Sequence, residues 1–137
     1  MSFVNPPPEV VRDLLKRVKT IAVVGLSPKP DRPSHQVARA MQGFGYRIIP
    51  VRPGVTEILG EKAYARLSDV PEPIDLVDVF RAAEHLDAIV DECIRLKIPA
   101  LWIQEGIVNE AAARRAVEAG ITVVMDRCLY KDYVAHL

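Results

Sequence analysis

Five short apolar runs, "TIAVVG", "YRIIPV", "IDLVDVF", "ALWIQ" and "ITVVM", are separated by segments too long to be hairpin turns. The runs are rich in β-branched residues and close to continuously apolar, the pattern of strands buried on both faces. Parallel strands need crossovers of about a dozen residues or more, usually helical. The alternation therefore predicts an α/β chain with a parallel sheet between two helical layers. Right-handed crossovers leave few arrangements. We expect strand order 3-2-1-4-5 in a single three-layer, Rossmann-like domain.

Helical spacing fills the gaps. Val10, Val11, Leu14, Leu15 and Val18 recur at that spacing over residues 8–18, so segment 1–19 is expected to pack on the domain as a helix. A second helix runs from about Ser34 to Phe44 and stops at Gly45. A third occupies residues 83–97 through Leu86, Ile89, Val90, Cys93 and Ile94, and Asn109 caps a fourth, "EAAARRAVEA", that Gly120 closes. A short helix ends the chain. Residues 53–73 are the least regular, with a brief strand or hairpin and a helical turn near Leu67. Pro50 is placed at the carboxyl end of the second strand, with Val51 and Arg52 entering a loop. Asp75 and Asp78 in "IDLVDV" are unusual for a buried strand and mark the third strand as an edge, as the chosen order requires.

The length of 137 residues suits one domain spanning 1–137. Lys and Arg total 18, as do Asp and Glu, so no global basic field draws the chain to nucleic acid or an anionic membrane. No apolar stretch approaches the roughly 18 residues of a membrane span. The start, "MSFVNPPPEVV", lacks the pattern of a signal peptide, and a cytoplasmic location is expected. Cys93 and Cys128 have no metal-ligand spacing, so two free thiols and no metal are expected.

In an open parallel sheet a ligand lies at the carboxyl ends of the strands, where strand order reverses. The loop after the first strand, "GLSPKPDRPSH", reaches that edge with one glycine where a dinucleotide fingerprint has three. Gly25 permits the turn, Ser27 offers a hydroxyl, and the following helix presents its positive end to a phosphate. Lys29 and Arg32 add charge, while Asp31 is expected to cap the helix or pair with a cation. The second strand ends "PVRP", with Arg52 where NAD-binding chains place a carboxylate. A cation there suits a phosphorylated ribose, so NADP and coenzyme A both stay open.

The blocks "TIAVVGLSPKPDRPSHQVARAM", "GYRIIPVRPG", "LGEKAYARLSDVPEPIDLVDVFR", "LWIQEGIVNEAA" and "AGITVVMDRC" together resemble the small, stand-alone coenzyme A-binding protein family. They are also similar to the CoA-binding domain of the succinyl-CoA synthetase α subunit, over roughly residues 18–128. The resemblance implies a Rossmann-like domain with coenzyme A lying across the strand ends. It puts the diphosphate on Gly25, Ser27 and Pro28, continuing to Ser34, and the ribose 3′-phosphate near Arg52. Val79, Phe80 and Arg81 would flank the nucleotide, and Gln104, Glu105 and Gly106 would lie beside the pantetheine arm. Family members often follow "DRC" with proline, whereas this chain continues "DRCLYKDY".

The resemblance does not extend to catalysis. Synthetases of that type add a domain with a phosphorylated histidine and a nucleotide-activating subunit, and this chain is too short for either. His35, His85 and His136 form no Ser-His-Asp or Cys-His arrangement in the sequence. Cys128 and Trp102 read as packing residues. The expected function is non-catalytic binding of coenzyme A or an acyl-CoA. The alternatives are an NADP-linked reductase and an interaction protein regulated by its ligand.

Overall fold

The computed structural model describes residues 3–137. Five parallel strands form the sheet: β1 (Thr20–Val24), β2 (Arg47–Val51), β5 (Leu76–Val79), β6 (Ala100–Ile103) and β7 (Thr122–Met125). A two-stranded antiparallel hairpin, β3 (Glu57–Ile58) and β4 (Glu61–Lys62), lies in the irregular segment, followed by a helical turn at Leu67–Asp69. Helices α1 (Pro8–Arg17), α2 (Pro33–Gly43) and α5 (Leu129–His136) cover one face, with Leu14, Leu15, Met41 and Leu129 packed on Ile21, Val23, Leu76 and Trp102. Helices α3 (Leu86–Arg95) and α4 (Glu110–Glu118) cover the other with Leu86, Val90, Ala113 and Ala116. The three-layer α/β architecture is the expected one, as are the cap by Asn109, which accepts from Ala112 N–H at 3.1 Å, and the hairpin and turn in residues 53–73.

The strand order is not the expected one. It is β2-β1-β5-β6-β7, so the strand from "IDLVDVF" is central, between β1 and β6, and β2 forms the edge. The physical reason lies in two features. Leu76, Val77 and Val79 are fully buried on both faces of β5, as only an interior strand can be. The crossover from β2 to β5 carries no α-helix, and Leu67 covers the sheet where a helix would otherwise pack. Asp75 precedes the strand and accepts from Lys19 and Thr20 N–H at 2.9 and 3.0 Å, pinning the start of β5 to that of β1. Val51 also differs from expectation, since it is the last residue of β2 and not part of the loop.

Both outer strands carry further bonds. The Asn5 side chain donates to the Met125 carbonyl at 2.9 Å and accepts from Met125 N–H at 2.8 Å, alongside β7. Tyr64 makes a parallel bridge to Val51 beside β2, donating to the Pro50 carbonyl at 3.0 Å and accepting from Arg52 N–H at 2.7 Å.

Candidate functional site

The order places the topological reversal between β1 and β5. The chain leaves β1 toward α2 on one face and leaves β5 toward α3 on the other, which opens a crevice between the two strand ends. Two adjoining cavities occupy that edge. One, of about 530 Å³, is walled by Arg52, Pro53, Ala65, Arg66, Leu67, Arg81 and Glu92. The other, of about 450 Å³, lies over the start of α2 against Ser27, Pro28, Lys29, Arg32, Pro33 and Ser34. Gly25, Arg52 and Phe80 line both, so the two read as one bent trough. Each volume falls within the range of small-molecule sites, roughly 300–1,000 Å³.

Gly25 closes β1 with φ +86°, and its N–H donates to the Val51 carbonyl at 2.9 Å. Beyond it three main-chain donors of the loop are spent within the loop and on the first turn of α2. Ser27 N–H donates to Ser34 Oγ at 2.9 Å, Lys29 N–H to Ser27 Oγ at 3.1 Å, and Arg32 N–H to the Lys29 carbonyl at 3.1 Å. Pro28, Pro30 and Pro33 have no N–H to offer. The glycine-rich fingerprint meets phosphate with main-chain N–H groups, but this loop cannot do so in the same way. Two hydroxyls add donors here: Ser27 Oγ and Ser34 Oγ each accept a main-chain bond, which leaves each O–H proton to donate.

Helix α2 adds its positive end. Its N-cap, Arg32, makes no side-chain cap bond, and no acidic residue stands in the first turn. The orphan N–H groups there remain for an anion. Among the described residues, Asp31 neither caps the helix nor forms an ion pair, and its carbonyl accepts from Gln36 Nε2 at 3.5 Å. Lys29, Arg32, Arg52, Arg66 and Arg81 line the trough, and none takes part in an ion pair among the described residues. Arg52 Nη1 reaches the Leu26 carbonyl only at 3.5 Å, the limit of a hydrogen bond. Glu92, on the α3 side, is the single acidic residue lining either cavity, and Arg95 lies 3.5 Å from it. A locally cationic trough thus sits in a chain of zero net charge.

A family profile described as "CoA binding domain" matches residues 19–133. The chain belongs to the CoA-binding domain family. It is 47% identical over 125 residues to the uncharacterized protein YneT of Bacillus subtilis, covering 91% of this chain and 93% of that one. It is 28% identical over 121 residues to the ADP-forming acetate–CoA ligase I of Archaeoglobus fulgidus, covering 81% of this chain but 18% of the ligase. A solved structure from Thermus thermophilus superposes with a TM-score of 0.92 at 38% identity, covering 96% of this chain and all of that one (100%).

Within this CoA-binding domain, the expected site residues fall into three sets. Gly25, Ser27, Pro28, Ser34, Arg52, Phe80 and Arg81 come together around the trough. Val79 is fully buried at the end of β5, packs on the opposite face of the sheet from Phe80, and lines neither cavity. Gln104, Glu105 and Gly106 line neither cavity and are tied to the end of β7 and to α5. Gln104 Oε1 accepts from Leu129 N–H at 3.2 Å, Glu105 pairs with Lys131 at 3.0 Å, and Gly106 N–H donates to Asp126 at 2.7 Å. Sequence reasoning missed Ala65, Arg66, Leu67 and Glu92. The available signal for Arg66 was a cation in an otherwise unassigned segment.

Four further side chains of the CoA-binding domain bear on its chemistry. His35, in the first turn of α2, is buried, with Nδ1 2.9 Å from the Ser27 carbonyl. Asp78 is 1% exposed in the middle of β5, level with Val23 and Trp102, and neither carboxylate oxygen has a hydrogen-bond partner. Burial drives its pKa well above the usual carboxylate range, so the neutral acid is the favoured form. Cys93 is buried on the inner face of α3 and its thiol is pushed up to about 12 by burial and then by Glu92, whereas Cys128 is half-buried at the start of α5. Among the described residues, no group of three or more His, Cys, Asp and Glu could hold a metal ion, and no helix is long and apolar enough to cross a membrane.

Proposed function

We propose that this protein binds coenzyme A or an acyl-CoA in the cytoplasm without itself performing chemistry on it. In this reading the diphosphate rests on Ser27, Pro28 and Ser34 at the start of α2, and the ribose 3′-phosphate lies beside Arg52. The nucleotide packs against Phe80 and Arg81 over Gly25, at the end of the strand that Val79 anchors in the core. The pantetheine arm runs from there along the strand ends toward Gln104, Glu105 and Gly106.

One observation carries the reading. In a member of the CoA-binding domain family, five cations that have no ion-pair partner among the described residues converge on a trough at the sheet's reversal point. A ligand with three phosphates matches that charge, and its two phosphate groups, the diphosphate and the ribose phosphate, match the two cavities. The ligase relative named for acetate and CoA is more than five times longer than the matched part. Its ligation chemistry therefore belongs to that protein and is not carried over.

The test is calorimetric titration with coenzyme A, acetyl-CoA and 3′-dephospho-CoA. Binding of coenzyme A at least tenfold tighter than of the dephospho form is expected. Equal affinities would remove Arg52 from its role, and no binding of any of the three would end the reading. Arg52 also admits NADP. Tight binding of NADPH that coenzyme A fails to displace would favour the reductase reading instead.

A further inference from the structure

The dipeptide Ser27–Pro28 poses a problem for any anion site. Its peptide group has a carbonyl acceptor and, because proline follows, no N–H donor. Turned toward the trough, it would show a phosphate only the negative end of a dipole. The best a loop can do with such a peptide is to hide the carbonyl.

His35 does this. Its Nδ1 lies 2.9 Å from the Ser27 carbonyl, and a carbonyl only accepts, so Nδ1 carries the hydrogen. The ring is buried and lines neither cavity, whereas Ser27, Pro28 and Ser34 all line the one at α2. The carbonyl is therefore drawn to the buried side. Ser34, the residue before His35, accepts the Ser27 N–H at 2.9 Å, so both main-chain polar groups of Ser27 are held by the first turn of the helix. With its backbone fixed at both ends and its Oγ accepting the Lys29 N–H at 3.1 Å, Ser27 holds its hydroxyl on the wall of the cavity at α2, with the proton left to donate.

We infer that His35 is a positioning residue for the anion cradle: it withdraws the Ser27 carbonyl from the trough and locks the loop with the Ser27 and Ser34 hydroxyls facing the ligand. This rests on the proposed placement of the diphosphate at the start of α2. The role requires a donor at the Nδ1 position. It requires no charge on the ring and no contact with the ligand.

The test compares His35→Asn, whose amide nitrogen can take the place of Nδ1, with His35→Phe, which keeps the ring and removes the donor. Coenzyme A and dephospho-CoA, which carry the diphosphate, are titrated against adenosine 3′-monophosphate, which does not. We expect His35→Phe to weaken both diphosphate ligands by about the same factor, on the order of tenfold, and to leave the monophosphate unchanged, while His35→Asn stays within about threefold of the parent. Nitrogen-15 NMR should show the His35 hydrogen on Nδ1 before and after ligand is added; this reading does not depend on any variant folding. The inference is overturned if His35→Phe binds diphosphate ligands like the parent, if it weakens the monophosphate equally, or if the hydrogen resides on Nε2. Failure of the unsubstituted protein to bind coenzyme A is a separate outcome, and it would remove the functional reading beneath.

Discussion

Gly25 stands so close to Phe80 that a Cβ added to it would lie 2.9 Å from the Phe80 carbonyl oxygen and 2.9 Å from Arg81 Cδ. The end of β1 and the end of β5 thus meet through a hydrogen atom, at the point where the two cavities join. The same residue has φ +86°, which side chains other than glycine rarely adopt.

Gly25→Ala should therefore suffer twice. Strained backbone and contact with a main-chain atom together should lower unfolding free energy by about 1–3 kcal/mol, measured by urea denaturation. Coenzyme A affinity should fall as well, because Phe80 and Arg81 must shift. An unchanged denaturation midpoint would show that the close approach is not real.

Arg52 and Arg66 reach the larger cavity from adjacent stretches of chain joined at the Val51–Tyr64 bridge. If a phosphomonoester lies between them, Arg52→Ala should weaken coenzyme A by about 1.5–3 kcal/mol, and Arg66→Ala by a smaller amount of the same kind. Neither change should alter binding of 3′-dephospho-CoA by more than about twofold. Both variants should be as stable as the parent within about 0.5 kcal/mol, since neither arginine holds an ion pair. Equal losses for both ligands would place the phosphomonoester elsewhere.

Asp78 gives a pH dependence with a definite sign. Its folded-state pKa is raised, so between the unfolded carboxylate value near 4 and the folded value the folded chain holds a proton that the unfolded chain releases. Stability then falls as pH rises across that interval. Asp78→Asn should abolish this slope. Its advantage over the parent should be about 1–3 kcal/mol at pH 8 and should shrink toward pH 4. Thermal unfolding across that range would contradict this if the two proteins gave parallel curves.

The thiols differ in environment and should differ in reactivity. At pH 8 an aromatic disulfide reagent should label Cys128 in the native protein and spare Cys93, which is buried with its thiol pushed up to about 12. Unfolding in guanidinium should expose both. Labelling of Cys93 at a comparable native rate would mean that α3 opens readily.

The layers of this fold were legible because they depend on local pattern: β-branched runs, helical spacing, and caps such as Asn109. The strand order was not, and Asp78 shows why. A carboxylate inside an apolar run signals an edge when solvation alone is considered, but here it is buried in a central strand, where burial raises its pKa and favours the neutral form. Residues next to strand ends, such as Gly25, Arg52 and Phe80, could be placed by counting from the strands. Arg66 could not, because the crossover that carries it to the trough has no regular helix, and one bridge at Tyr64 sets its position. Nor could the sequence show that Ser27 N–H is consumed by Ser34. That bond depends on how the loop folds back on α2.

The bonds on the two outer strands have a consequence for assembly. An open sheet edge is a template on which another chain can add a strand, and natural proteins block such edges. Here Asn5 occupies the Met125 peptide groups on one side, and Tyr64 occupies Pro50 and Arg52 on the other. At those positions neither edge can recruit a neighbour by extending the sheet. The exposed apolar surface lies instead on the helical side, where Phe44 stacks on Tyr133 with ring centroids 4.0 Å apart and keeps 41% of its surface in solvent.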